Sequence, residues 1–172
     1  SDTFDYSSGA KALADHVREQ MLSRRTSDWR LAQEGVTFWR NIRTMYRYAG
    51  PYVESYVFWK LRLDPMCRSI DALVPASGSV LDLGCGYGLI SHILARKSIE
   101  RNVIGVDYDE RKVLVAANAF SETSNVQFAV RDIIEWEYPL VDTVLLLDAL
   151  HYWPEETQLR IIRKACGCLE AG

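Results

Sequence analysis

Val80-Leu81-Asp82-Leu83-Gly84-Cys85-Gly86-Tyr87-Gly88 is the stretch on which the fold turns. A short apolar run reaches a carboxylate and then three glycines at alternate positions. Residues 80–83 are too few for a helix, and a turn bounds them, so they read as a buried strand. The glycines permit a tight turn and a close approach of backbone to a ligand. Beyond the turn, Leu89, Ile90, Ile93 and Leu94 return at helical spacing. The alternation then repeats: a strand over 102–106 ending at Asp107, a helix over about 109–120, a strand near 126–130, a strand over 142–147 and a closing helix over about 155–169. Strands separated by helices of this length predict an α/β fold with a doubly wound parallel sheet.

Upstream the period is helical. Leu13, Val17 and Met21 recur every four residues and predict a helix near 9–23. Phe38, Trp39, Ile42, Met45, Tyr46 and Ala49 form a second stripe, which Gly50-Pro51 ends. A third helix is expected over 52–63, and Asp64-Pro65 opens a fourth near 65–74. Residues 1–75 are therefore expected to form a helical cap or lid and residues 76–172 the core. Eight of the 19 aromatic residues fall within 36–59. They suit packing against the core, and equally a lid that walls a greasy acceptor pocket.

With 172 residues, 48% hydrophobic and 25% charged, the chain can bury a real core. Its longest stretch without Asp, Glu, Lys or Arg is the 13 residues 83–95. That is short of the roughly 18 that suggest a membrane span, so no stable membrane insertion is expected. The first 30 residues carry scattered charges and no signal-peptide apolar region. Cys67 and Cys85 have no neighbouring cysteine, and Cys166 and Cys168 are separated by one residue, not two. This reads as reduced thiols in a cytoplasmic protein, with no metal site. A net charge of −3 and a pI of 5.6 argue against a nucleic-acid partner. Residues 1–75 are nonetheless net +2 and residues 76–172 net −5, which suggests different tasks for the two parts.

In a doubly wound sheet, ligands bind beyond the carboxyl ends of the strands, where strand order reverses. Polar groups gather at four such ends: Asp82 and the glycines, Asp107, Asp132, and residues 148–153. Asp107 lies 23 residues beyond Gly84, the spacing of a carboxylate that accepts from ribose hydroxyls. A dinucleotide would satisfy this much. The third glycine, however, is at 88 with Leu at 89, giving G-x-G-x-G rather than G-x-G-x-x-G. Asp82 would be an awkward neighbour for a pyrophosphate and a good one for an ammonium group. A nucleoside with ribose, a positively charged amino-acid tail and no phosphate is S-adenosylmethionine.

The run 80–88 resembles the first motif of the class I S-adenosylmethionine-dependent methyltransferases, a Rossmann-like family. Gly105-Val106-Asp107-Tyr108-Asp109 resembles their acidic second motif, Arg131-Asp132-Ile133 the third, and Leu145-Leu146-Leu147-Asp148-Ala149-Leu150-His151 the fourth. Cys168-Leu169-Glu170-Ala171-Gly172 is similar to the turn before their fifth strand. The resemblance implies that Gly84 and Gly86 face the methionine part and that Asp82 lies near its ammonium. It implies Asp107 on the ribose, Tyr108 over the adenine, Asp132 accepting from the adenine amino group and Ile133 offering its backbone N–H. It places Leu147 or Asp148 near the transferring methyl. His151 is the one histidine at a strand end and the candidate general base for a hydroxyl acceptor. A wall of the pocket and a purely structural role are the other readings of that residue.

Family members that methylate base amines carry an Asn/Asp-Pro-Pro-aromatic run after the fourth strand, where this chain has Asp148-Ala149-Leu150-His151. The expected acceptor is therefore a small or lipid-like hydrophobic molecule. Two other readings remain: a cofactor-binding subunit or regulator without catalysis, and, less favoured, a nicotinamide-dependent oxidoreductase. By this resemblance strands one to four of the family are expected in the chain, and its C-terminal strands are expected to be missing. The resemblance thus implies truncation at Gly172; were Gly172 a natural end, strand four would be an apolar edge, and another chain is then expected to cover it, as in a homo-oligomer.

Overall fold

The computed structural model describes residues 35–119 and 125–169, so the helix expected over 9–23 lies outside the described residues. The chain divides into two compact units, Ser1–Asn41 and Ile42–Gly172. Described residues 35–41 of the first are helical, and this helix, α1, runs on to 44. The second unit is built on a four-stranded sheet of β1 (Gly78–Leu83), β2 (Arg101–Asp107), β3 (Val126–Val130) and β4 (Thr143–Leu145). Every pairing is parallel and the order is β3-β2-β1-β4. The chain steps outward from β1 to β3 and then crosses to the other side of β1. This is the doubly wound arrangement predicted, and it opens a crevice beyond the carboxyl end of β1.

Three helices cross over the sheet: α4 (Leu89–Lys97), α5 (Glu110–Asn118) and α6 (Glu155–Gly167). Because both faces are covered, β1 is apolar on both sides: Val80, Leu81 and Leu83 are all buried. Leu81, Leu83 and Val106 share one core cluster with Ile161 and Ala165 of α6. Strand β4 stops at Leu145, short of the predicted 147, since the chain bends away through Asp148 at φ +53°. Val141, just before β4, forms a single parallel bridge with Leu169.

Helices α2 (Pro51–Leu63) and α3 (Met66–Leu73) begin as expected, α2 with Gly50 at φ +89° and Pro51 in its first turn. The Asp64 carboxylate then accepts the Met66 N–H at 2.8 Å, turning the chain into α3. The stripe expected to stay helical to Ala49 instead breaks after 44 into a 3-10 turn, Arg47–Ala49. Tyr46 accounts for the break. It is fully buried, and its hydroxyl donates to the Tyr87 carbonyl at 3.0 Å, inside the glycine turn. Its ring also meets His92 edge-on at 6.2 Å. His92 is itself buried in α4, bonded through Nε2 to the Ala116 carbonyl at 2.9 Å and tilted against Phe128 at 5.0 Å. Burial holds its imidazole below the usual histidine range, so the ring is neutral at pH 7.

At the opposite end of the sheet Arg101, 1% exposed, clamps two helix ends to the start of β2. Its guanidinium donates to the Asp71 carboxylate at 2.7 Å and to the carbonyls of Pro75 (2.7 Å), Val74 (2.8 Å), Leu94 (3.2 Å) and Asp71 (3.3 Å). The fork thus caps carbonyls at and just beyond the end of α3 and shares the Leu94 carbonyl of α4 with the Ser98 N–H. Arg101→Leu would strand these acceptors and is expected to lower stability by about 3 kcal/mol. Arg101→Lys should recover less than half of it, because an ammonium lacks the planar fork. Urea denaturation followed by circular dichroism measures both; a midpoint unchanged in the leucine variant would remove the clamp from the fold.

Candidate functional site

A cavity of about 760 Å³ opens where the strand order reverses, within the usual size of small-ligand sites. Its floor is the turn after β1. Gly84, Gly86 and Gly88 have φ of +78°, +56° and +72°, which side chains rarely adopt. Gly84 is also packed closely: a Cβ there would sit 2.8 Å from the Ala149 Cβ. At Gly86 a Cβ would meet nothing within 4 Å, so the open side of that residue faces the cavity it lines. Gly88 has a structural reason for being glycine, since a Cβ would collide with the Phe128 ring at 2.6 Å and the Ala116 Cβ at 2.8 Å.

Two carboxylates flank this turn. Asp82, 3% exposed, is the penultimate residue of β1 and accepts from the Ser91 hydroxyl at 2.6 Å. Burial raises its pKa to about 6, with the Ser91 bond opposing and the Asp107 charge adding to the rise. Asp107, 6% exposed, ends β2. Its Oδ2 accepts the Gly86 N–H and its Oδ1 the Asp109 N–H, both at 2.9 Å. Each oxygen keeps a lone pair for a further donor. Tyr108 follows, 71% exposed, with its ring at the cavity wall.

The ends of β3 and β4 supply the rest of the wall. Asp132 and Ile133 both line it, and Asp132 already accepts the Ile134 N–H through Oδ1 at 2.8 Å. Leu147 and Asp148 line the other side. The structure therefore brings nine of the ten sequence-predicted residues to one cavity. His151 is the exception. It is exposed on the 3-10 turn Leu150–Tyr152, with its ring 4.0 Å from that of Tyr152, and is absent from the lining that its neighbours Ala149 and Tyr152 share.

Sequence reasoning missed Lys60 of α2, which enters the cavity and bonds to Asp148 at 2.7 Å and Asp64 at 2.9 Å. Burial works against its charge, but the bonds to Asp148 and Asp64 outweigh it and hold the ammonium protonated far above neutrality. The same bond lowers the pKa of Asp148. The one available signal was a lysine directly following the aromatics of 52–59. Tyr56, four residues earlier on the same face, meets Tyr87 edge-on at 5.3 Å and lines the cavity too.

The family profile described as "Methyltransferase domain" matches residues 80–172, and the chain belongs to that family. It is 30% identical over 103 residues to an uncharacterised chloroplastic methyltransferase of Arabidopsis thaliana, covering 55% of this chain and 29% of that protein. Among solved structures it is similar to the S-adenosylmethionine-dependent methyltransferase SibL, with a TM-score of 0.58, 26% identity and 73% and 39% of the two chains covered. It is also similar to the magnesium protoporphyrin IX methyltransferase of Synechocystis PCC 6803, solved with bound S-adenosylmethionine, with a TM-score of 0.56, 25% identity and 79% and 66% covered. The chain spans 22–36% of the length of the curated relatives it matches. Among the described residues, no helix is long and apolar enough to cross a membrane.

The glycines separate by experiment. Gly88→Ala forces a positive φ on alanine and an overlap with Phe128, and should cost about 2–4 kcal/mol. Gly86→Ala pays only the backbone strain, about 1–2 kcal/mol, and should leave a folded protein. Equal losses in thermal melting of the two variants would contradict this packing.

Proposed function

We propose that the chain is the cofactor-binding part of an S-adenosylmethionine-dependent methyltransferase acting on a small or lipid-like hydrophobic acceptor. The observation that carries this reading is the pair of buried carboxylates, Asp82 and Asp107, on either side of the glycine turn. Asp82 has one hydroxyl donor and a raised pKa, the condition of a carboxylate that gains by meeting a cation. A diphosphate laid on this turn would face it, like charge against like charge. The whole lining agrees: five aspartates oppose two lysines and one arginine, net −2. A ligand with a sulfonium and an ammonium against one carboxylate, net positive, fits such a wall.

When bound, S-adenosylmethionine supplies a methyl group already activated by its sulfonium. The chain's task is to hold and orient. In this reading Asp82 takes the ammonium, Gly84 and Gly86 bring backbone against the methionine part, and Asp107 uses its remaining lone pairs on the ribose hydroxyls. Tyr108 covers the adenine, Asp132 accepts from its amino group through the free oxygen, and Ile133 offers its N–H. Leu147 and Asp148 stand at the methyl end, beside the aromatic face of α2. His151 would have to leave its stack on Tyr152 to serve as a base. A cytoplasmic setting goes with the reading, since all four cysteines are free thiols.

Calorimetry with S-adenosylhomocysteine and with NAD tests the cofactor. The homocysteine ligand is expected to bind at least tenfold more tightly, and the reverse order would return the chain to the oxidoreductases. Asp107→Ala should cost about 1–3 kcal/mol of that binding through two lost hydrogen bonds.

The pH dependence follows from Asp82. Its folded pKa exceeds the unfolded value of 3.8, so its contribution to folding is present in acid and lost as pH rises through about 6. Ammonium binding needs the ionised carboxylate and runs the other way. Affinity should fall about fivefold between pH 6 and pH 5 and level off above pH 7. Asp82→Asn should abolish this slope. A steep slope persisting in that variant would take the ammonium away from Asp82.

A further inference from the structure

A second groove, of about 540 Å³, runs along the exposed face of α2. Tyr52, Tyr56, Trp59 and Leu63 give it an aromatic and apolar surface, with Tyr52 77% and Leu63 70% exposed. It is not separate from the cofactor cavity, because Tyr56, Lys60 and Asp64 line both. Among the described residues, the one cation at this junction is Lys60, and its two carboxylate partners differ in how firmly they are held. Asp64 is fixed: its other oxygen accepts the Met66 N–H that starts α3. Asp148 is not. Its side chain is 74% exposed and its backbone stands at φ +53°, a conformation that costs a non-glycine residue about 1–2 kcal/mol.

Building on the methyltransferase reading, we propose that the α2 groove takes an aromatic acceptor bearing an acidic hydroxyl, a phenol or enol, and that Lys60 selects it by pairing with its oxygen in place of Asp148. On entry its O–H bond breaks, the oxygen keeping the electron pair and the proton going to water, and the oxygen takes the Lys60 bond that Asp148 gives up. The exposed Asp148 carboxylate turns to solvent, so the acceptor's oxyanion replaces it as the negative partner of Lys60. The acceptor's O–CH3 bond forms as the S–CH3 bond of the cofactor breaks, and the sulfur keeps that electron pair. A protonated amine would instead set another cation between Lys60 and the sulfonium.

The probe is 4-nitrophenol, whose phenolate absorbs in the visible, titrated against the full 172-residue chain with and without S-adenosylhomocysteine. The wild-type protein is expected to bind it with an apparent pKa about one unit below the free value, which is about a tenfold larger ratio of phenolate to phenol at a given pH. Lys60→Gln should abolish that shift, Lys60→Arg should keep most of it, and Trp59→Ala should weaken binding about tenfold without moving the shift. Melting curves show whether the glutamine variant is folded, and if it is not, the arginine and alanine variants still decide. Benzylamine bound more tightly than nitrophenol, nitrophenol bound with unshifted ionisation, or no binding would each overturn the proposal. A failure of S-adenosylhomocysteine to bind, read by calorimetry, would instead strike the methyltransferase reading.

Discussion

Leaving β1, the chain has to reverse within five residues so that α4 can lie back along the sheet, and it does so through three left-handed glycines. The space their missing side chains leave is used. The Phe128 ring occupies the place where side chains on Gly88 and Gly105 would stand, each Cβ falling within 2.7 Å of it. His92 then lies against the same ring, and Tyr46 against His92. One close approach of backbone to ring therefore sets the depth of α4 and the place of the segment before α2. It also decides how near the ends of β1 and β2 come to the turn. Only with the turn this tight do Asp82 and Asp107 face one cavity.

Buried charge is handled differently at the two ends of the sheet. At the amino end Arg101 has five acceptors, one of them a carboxylate, and nothing further to bind. Such a group holds structure together. At the carboxyl end Asp82 has a single hydroxyl donor, and burial raises its pKa toward neutrality. A carboxylate left so poorly compensated raises the energy of the ligand-free protein, and a positively charged ligand removes that cost. Completeness of the hydrogen-bond shell, more than burial itself, separates the structural ion from the binding one.

What could be read from the sequence was local in the chain. The apolar run 80–83, the glycines after it and the carboxylates at 82 and 107 each lie within one strand-turn-helix unit, where period and turn chemistry speak directly. Helices α2 and α3 were legible for the same reason, through Gly50-Pro51 and Asp64-Pro65. The misses are long-range. Lys60 and Asp148 are 88 positions apart, and neither residue type nor spacing announces their bond. Tyr46 breaks α1 because it reaches Tyr87, 41 positions away. His151 occupies the expected turn, but the direction of its ring depends on Tyr152 rather than on any pattern in the chain.

Strand β4 is half the length of β1 and, among the described strands, pairs with β1 alone. The cofactor side of the cavity hangs from β1 and β2, six and seven residues long and in register over six pairs. The wall of 147–153 hangs from three residues and a left-handed bend. Hydrogen-bond ladders of such unequal length open at unequal rates. In the methyltransferase reading proposed above, the donor would meet the wall with the longer ladders and the incoming substrate the wall with the shorter one, so that acceptor preference can drift in evolution while the donor site stays put.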